Sequence, residues 1–586
     1  MNRWLALLVA LIAWPTLAAQ ADWIAESNRH AKILLDISAR YGPEFAAAIG
    51  AEGFDDAVVD LKPRFNERFE EDLDAAARQL EQIRASASDA RVTQDLDILI
   101  DAARDQRTSL QINRKHMLPF QDLGQTVFTG FQNLIEERVP KERQKAAVRR
   151  LKRYVGAEKG YEAITELARA RYEEAAAANP ALLGPWVVEA QQYLDNQPRY
   201  LDGVEDLLKK SGLNGWQKDM KTLRRQFEEY GAWVRSTVLP HARKSSQLPA
   251  EVYANNLKQF GVEMDPRDLI DRASANFVQT RTEMQSVARA LAAQRGWKSG
   301  DYRDVVRELK KERIPEEKLL PTYKERLGRI EEIVRREHLV TLPGRDAVIR
   351  LATEAESAAS PAPHIDPPRL VGNTGEPAEF VLPTRNPNAA PGAEMDDFTY
   401  DAIAWTLTAH EARPGHELQF AAMLERGVST ARVVFAFNSA NVEGWALYAE
   451  AQMKEFYPLE GQIGVLQMRM MREARALLDP MLNLGLIEPA AAKRFLMEEV
   501  LLSEPMAKQE VDRYTFMAPG QATSYFYGYS KLNALRAKVE IALPHSFREQ
   551  PYHDFLIGQG LLPFDLLEKA VMEEFVPAQR KGAEQE

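Results

Sequence analysis

The stretch His410-Glu411-Ala412-Arg413-Pro414-Gly415-His416 constrains this chain more than any other. Two of its nine histidines fall within seven residues, and a glutamate directly follows the first. Imidazole nitrogens bind zinc and its neighbours, and a glutamate beside a metal-activated water is a natural general base. In the helical H-E-x-x-H pattern the two histidines share a face at i and i+4. Here they stand at i and i+6, which a regular helix would turn roughly 120° apart. Pro414 removes a backbone donor and disfavours helical angles at Arg413, and Gly415 admits conformations closed to other residues. If the two rings are to meet, the backbone must distort between them, and a bulged turn is the expected distortion.

The next helix offers a third group. Glu443 lies 27 residues after His416, within NSANVEGWALYAEAQMKEF. A carboxylate on a following helix is how two-histidine zinc hydrolases complete their ligand set. Glu450 is seven residues further on, two turns along the same helix line. It is read either as an acceptor for a ligand histidine's N–H or as an ordinary ion-pair partner.

HEARPGHELQ, VEGWALYAE and RYTFMAPGQATSYFYG closely resemble a bacterial family catalogued as domain of unknown function 885. The likeness is strong from about 395 to 565 and weak before about 250. It implies an exported zinc metallopeptidase related to the mostly helical relatives of thermolysin. Arg513, Tyr514, Pro519, Gly520, Gln521, Ala522, Tyr525 and Gly528 match the family's recurring pattern. The family's Asp-x-Gly-Leu-His segment has no counterpart histidine in Asp479-Pro480-Met481-Leu482-Asn483.

The chain has no cysteine, which excludes disulfides, thiol nucleophiles, Cys-ligated zinc and a lipid-bearing cysteine. Its net charge of −11 argues against nucleic-acid and anionic-membrane partners. Residues 1–21 carry Arg3, an apolar run from Trp4 to Trp14 and small residues near Ala19 and Ala21. They read as a cleaved signal peptide, shorter than a membrane span, with a periplasmic or secreted destination and no stable anchor afterwards.

Residues 22–337 read as an N-terminal helical region and 338–586 as the metal-binding catalytic region. Asp265-Pro266 predicts a helix start and Gly296 its end. The segments 338–342, 347–355 and 378–382 read as short strands among many prolines, forming either a dock for an extended peptide or a structural cap. Residues 396–413 are expected to form the motif helix, and 439–457 the next, capped by Asn438 or Ser439 and stopped by Pro458. The fold class is mainly α: a large zincin-like helical body with a small sheet before the metal-binding helix.

The expected chemistry is hydrolysis of oligopeptides around one Zn²⁺ held by His410, His416 and Glu443, with Glu411 as general base. Tyr525, or failing it Tyr514, would stabilise the oxyanion, and Arg513 would fork onto a peptide carboxylate. Tyr525, Tyr527 and Tyr529 also fit simple packing roles. Two rival readings remain: a non-haem iron oxygenase site, and a non-catalytic periplasmic peptide-binding protein.

Overall fold

The computed structural model describes residues 16–583 except 136–138, 354–355, 358–359, 374 and 385–393. Most of the expected leader, with Pro387 and Pro391, falls outside the described residues. The fold is mainly helical, with one three-stranded sheet. No described helix is long and apolar enough to cross a membrane.

The helices used below are α1 (Thr16–Tyr41), α2 (Ala90–His116), α3 (Pro266–Arg295), α4 (Glu316–Arg336), α5 (Asp401–Leu407), α6 (His416–Arg426), α7 (Ser439–Met453), α8 (Leu459–Asn483), α9 (Glu504–Asp512) and α10 (Ser524–Ala542). α3 starts and stops where local chemistry says it should. The Asp265 side chain accepts from the Arg267 amide, Pro266 takes the first turn, and Gly296 ends the helix with φ +67°. The helix-rich run 141–177 is interrupted between Tyr154 and Ile164, where Gly156 and Gly160 adopt positive φ.

Helix α8 is the central strut. It packs along α3 and α5, and one core joins Met284, Leu291, Tyr323, Ile403, Leu466, Met471 and Tyr514. Burying each such large apolar side chain stabilises the fold by roughly 1.5–3 kcal/mol. A second core joins Leu418, Trp445, Tyr448, Leu535 and Tyr552.

The sheet contains β1 (Val348–Leu351), β2 (His364–Asp366) and β3 (Glu379–Leu382), in the order β1-β3-β2. β1 runs parallel to β3 with Val348 opposite Glu379, and β2 runs antiparallel with His364 opposite Val381. Ile349, Phe380 and Leu382 anchor it in the first core. Both β2 and β3 pack on residues 408–412. Residues 338–342 are not a strand. His338 turns the chain at φ +50°, and Leu339 and Val340 plug the second core, so their β-type composition serves packing. His364, expected in a loop, lies in β2.

Candidate metal centre

The motif helix starts at Asp401, five residues later than expected. The preceding turn is pinned from outside: Asp397 accepts from the Ser503 amide at 2.9 Å and pairs with Lys310 at 3.0 Å. After Leu407 the helix widens to π geometry over Thr408–Ala412, and Arg413 is extended at φ −124°, ψ 137°. A cis Arg413–Pro414 bond and Gly415 follow, and His416 opens α6. The i, i+6 spacing is thus solved by a break between two helices, beyond the bulge expected within one. Gly415 is obligatory here, because a Cβ would lie 1.9 Å from the His410 carbonyl oxygen. The break is clamped on both sides. Trp445 Nε1 donates to Pro414 O at 3.0 Å, and Arg413 reaches Glu417, Glu331 and the Arg345 carbonyl.

The result brings the two imidazoles together, edge to face, with ring centroids 4.7 Å apart. Glu443, one turn into α7, places Oε2 3.3 Å from His416 Nε2 and 3.6 Å from His410 Nε2. That oxygen is buried and, among the described residues, makes no hydrogen bond. Glu411 Oε1 stands 3.9 Å from His410 Nε2, and ligand atoms of His410, Glu411 and His416 all fall within 4.8 Å of one another. Two carboxylates therefore compete for the third ligand position. Glu443 is the better match, since its oxygen faces both ring nitrogens and has no other partner. Glu417, seven residues after His410 and so on the same face of an unbroken helix, is taken by Arg413 at 2.6 Å.

The field at this point favours a cation. Burial alone would push the His410 imidazolium down, but the carboxylates of Glu443 and Glu450 reverse this and raise it to about 9. Burial pushes the Glu443 carboxyl up, and the two imidazoles overcome it and hold it well below the usual carboxylate range. Glu450 fills both roles foreseen for it. It accepts from His410 Nδ1 at 2.6 Å, which orients the ring, and pairs with Arg472 at 3.2 Å. Thr406 Oγ1 binds its other oxygen. The donor set of two imidazole nitrogens and one carboxylate oxygen, with a carboxylate behind one ring, fits zinc.

The opposite wall comes from α8, α9 and α10. The Tyr525 ring lies near-parallel to His410 at 6.2 Å, and the guanidinium carbons of Arg475, Arg513 and Arg472 stand 4.5, 5.3 and 5.7 Å from its centroid. Arg513 donates to the Tyr525 oxygen at 3.0 Å and also binds Gln521. Tyr514 does not face this cleft. It is fully buried and donates to Glu510 at 2.7 Å. Glu510 also holds Arg475 through two 2.7 Å bonds. Asp479 accepts from the Gly520 amide at 2.9 Å and from Tyr253 at 2.9 Å, and Asn483 binds the Tyr514 carbonyl at 3.0 Å. The segment without the family's histidine thus braces the Pro519-Gly520 turn.

Two glycines set the distance between the walls. A Cβ on Gly528 would lie 1.9 Å from Ala440 O, and one on Gly444 2.6 Å from Gly528. Helices α7 and α10 therefore cross backbone to backbone, one residue from Glu443 and three from Tyr525. Sequence reading missed Arg472, Arg475 and Glu510. Arg472 and Arg475 stand among Arg469, Glu473 and Asp479 in α8, so no local signal set them apart from a solvated helix face.

The family model for "Bacterial protein of unknown function (DUF885)" matches residues 43–571, and the chain belongs to that family. No curated protein matches it. Two solved structures share its fold. One is a protein of Colwellia psychrerythraea designated a lipoprotein, 17% identical with a TM-score of 0.76, covering 95% of this chain and 100% of that one. The other, from Shewanella oneidensis, is a designated lipoprotein of unknown function, 18% identical with a TM-score of 0.73, covering 94% and 99%.

Proposed function

We propose that this member of the family is an exported, metal-dependent peptidase that hydrolyses oligopeptides, built on the plan of the helical relatives of thermolysin. The observation that carries the reading is the convergence of His410, His416 and a buried, unpartnered Glu443 oxygen, with Glu411 beside them. A Zn²⁺ held by those three residues would supply a Lewis acid for a peptide carbonyl and make water nucleophilic at neutral pH. Glu411 keeps 10% of its side chain open to solvent, and it would take a proton from attacking water and return it to the leaving amine. Tyr525 accepts from Arg513, which leaves its own hydroxyl hydrogen free to donate to an oxyanion. Arg513, 23% exposed, would meet a peptide's terminal carboxylate. Edge strand β2, packed on the motif turn, offers backbone groups to an extended peptide. Export is supported by the Arg3 and apolar leader pattern and by the lipoprotein designation of both structural relatives.

The test joins elemental analysis of the purified protein to a peptide-library digest read by mass spectrometry. The expected result is one zinc per chain and metal-dependent cleavage. Glu411→Gln should keep its zinc and lose roughly 10²- to 10⁴-fold in turnover. Iron in place of zinc, or full turnover in Glu411→Gln, overturns the reading.

A further inference from the structure

A cavity of about 1830 Å³ lies between the N-terminal helices and the C-terminal shell. Its walls come from α1, α2, the Ala431–Asn438 segment, α10 and residues 558–574. None of His410, Glu411, His416, Glu443, Arg513 or Tyr525 lines it, so it is a separate chamber. Its volume exceeds the roughly 300–1,000 Å³ of small-molecule sites, which points to a polypeptide segment as occupant.

Two features of the lining define that segment. Phe45 is 63% exposed and Phe437 48% exposed, and both line this chamber. Large aromatic side chains left open in a shared concavity mark a binding surface. The charges lean the other way from a nucleic-acid or membrane site. Asp97, Asp101 and Asp105 recur every fourth residue along one face of α2. Arg84 neutralises Asp97, and Lys258 neutralises Asp105. Asp101 is 74% exposed, and its ion pair among the described residues is a 3.9 Å contact with Arg104. Of the other basic groups in the lining, Arg91 pairs with Asp89 and Arg432 with Asp95, acids outside the chamber. Among the described residues, Glu263, Asp565, Glu573 and Glu574 line it without an ion pair, against Lys531 and Lys569. The chamber therefore presents net negative charge around open aromatic rings.

We propose that this chamber is a docking site for basic peptides that carry aromatic side chains. Their lysines or arginines would meet the Asp101 face, and their rings would pack on Phe437 and Phe45. The proposal is independent of the metal reading, since binding is measured on the full chain stripped of metal by a chelator, which the proposed peptidase could not turn over.

The test is fluorescence anisotropy of the full chain with a labelled peptide alternating Lys and Phe, beside Glu/Phe and Lys/Ser peptides of equal length. The Lys/Phe peptide should bind tightest and weaken as salt rises. Phe437→Ser and Asp101→Lys change exposed side chains and should each weaken it by roughly tenfold. Equal binding of Lys/Phe and Glu/Phe peptides, or unchanged affinity in both chamber variants, overturns the proposal; the second outcome places the peptide outside the chamber.

Discussion

The two walls of the candidate site are both buried and both charged, yet they are charged in opposite senses. On one side Glu411, Glu443 and Glu450 surround two imidazoles, with Arg472 the cation against Glu450. On the other, Arg475 and Arg513 gather on Tyr525 with Glu510 as their carboxylate. A buried charge is costly unless it is paired, so two such clusters persist together only where each serves the other or a ligand. Under the proposed reading the first would hold the metal ion, and the second would meet negative charge that develops or arrives within reach of it.

The contrast can be broken most completely from the acidic side. Glu443→Ala removes the carboxylate oxygen that stands 3.3 and 3.6 Å from the two ring nitrogens, and zinc binding measured by chelator competition should be lost. Retention of zinc would move the third ligand to Glu411. On the basic side, Glu510→Gln leaves Arg475 buried without its bidentate partner. Denaturant unfolding should show a loss of about 3–5 kcal/mol, with zinc binding retained.

The basic wall should also weaken in acid. Burial pushes the Glu510 carboxyl up, but Arg475 and Arg513 more than reverse this and hold it at about 2. Its folded value lies below its unfolded value, so its contribution is present above about pH 4.5 and is lost as pH falls toward 2. That contribution is about 3 kcal/mol. Unfolding curves of the parent chain should steepen in that window, and those of Glu510→Gln should be flatter.

Smaller effects sharpen the comparison. Glu450→Gln keeps the size of the group behind His410 but weakens its grip on the ring, and zinc affinity should fall roughly 10- to 100-fold. Tyr525→Phe should lower kcat about tenfold with little change in KM, and Arg513→Ala should raise KM for free-acid peptides but not for their amides. If Arg513→Ala hurts acids and amides alike, the basic wall has no role in reading a carboxylate.

The acidic wall was the legible one. His410, Glu411, His416 and Glu443 stand close in sequence, and metal chemistry restricts which residue types serve. The basic wall was harder to read. Arg472 and Arg475 look like a solvated helix face until Glu450 and Glu510 come in from other helices. The start of the motif helix was misplaced for a similar reason, since Asp397 answers to Ser503 and Lys310, both distant in sequence. Even in the legible wall, the break at Gly415 exceeded what local rules foretold. Proline and glycine signal a distortion, but its form is fixed by Trp445 and Arg413 holding it in place.

The crossing at Gly444 and Gly528 has a consequence for how such a site varies over time. With backbone against backbone, the gap between the walls has no side chain left to shorten. Lineages can change what lines the cleft by ordinary substitution, but a single methyl group at either glycine would pry the walls apart. The spacing of the two walls therefore resists substitution, while the side chains around it can change without touching that spacing.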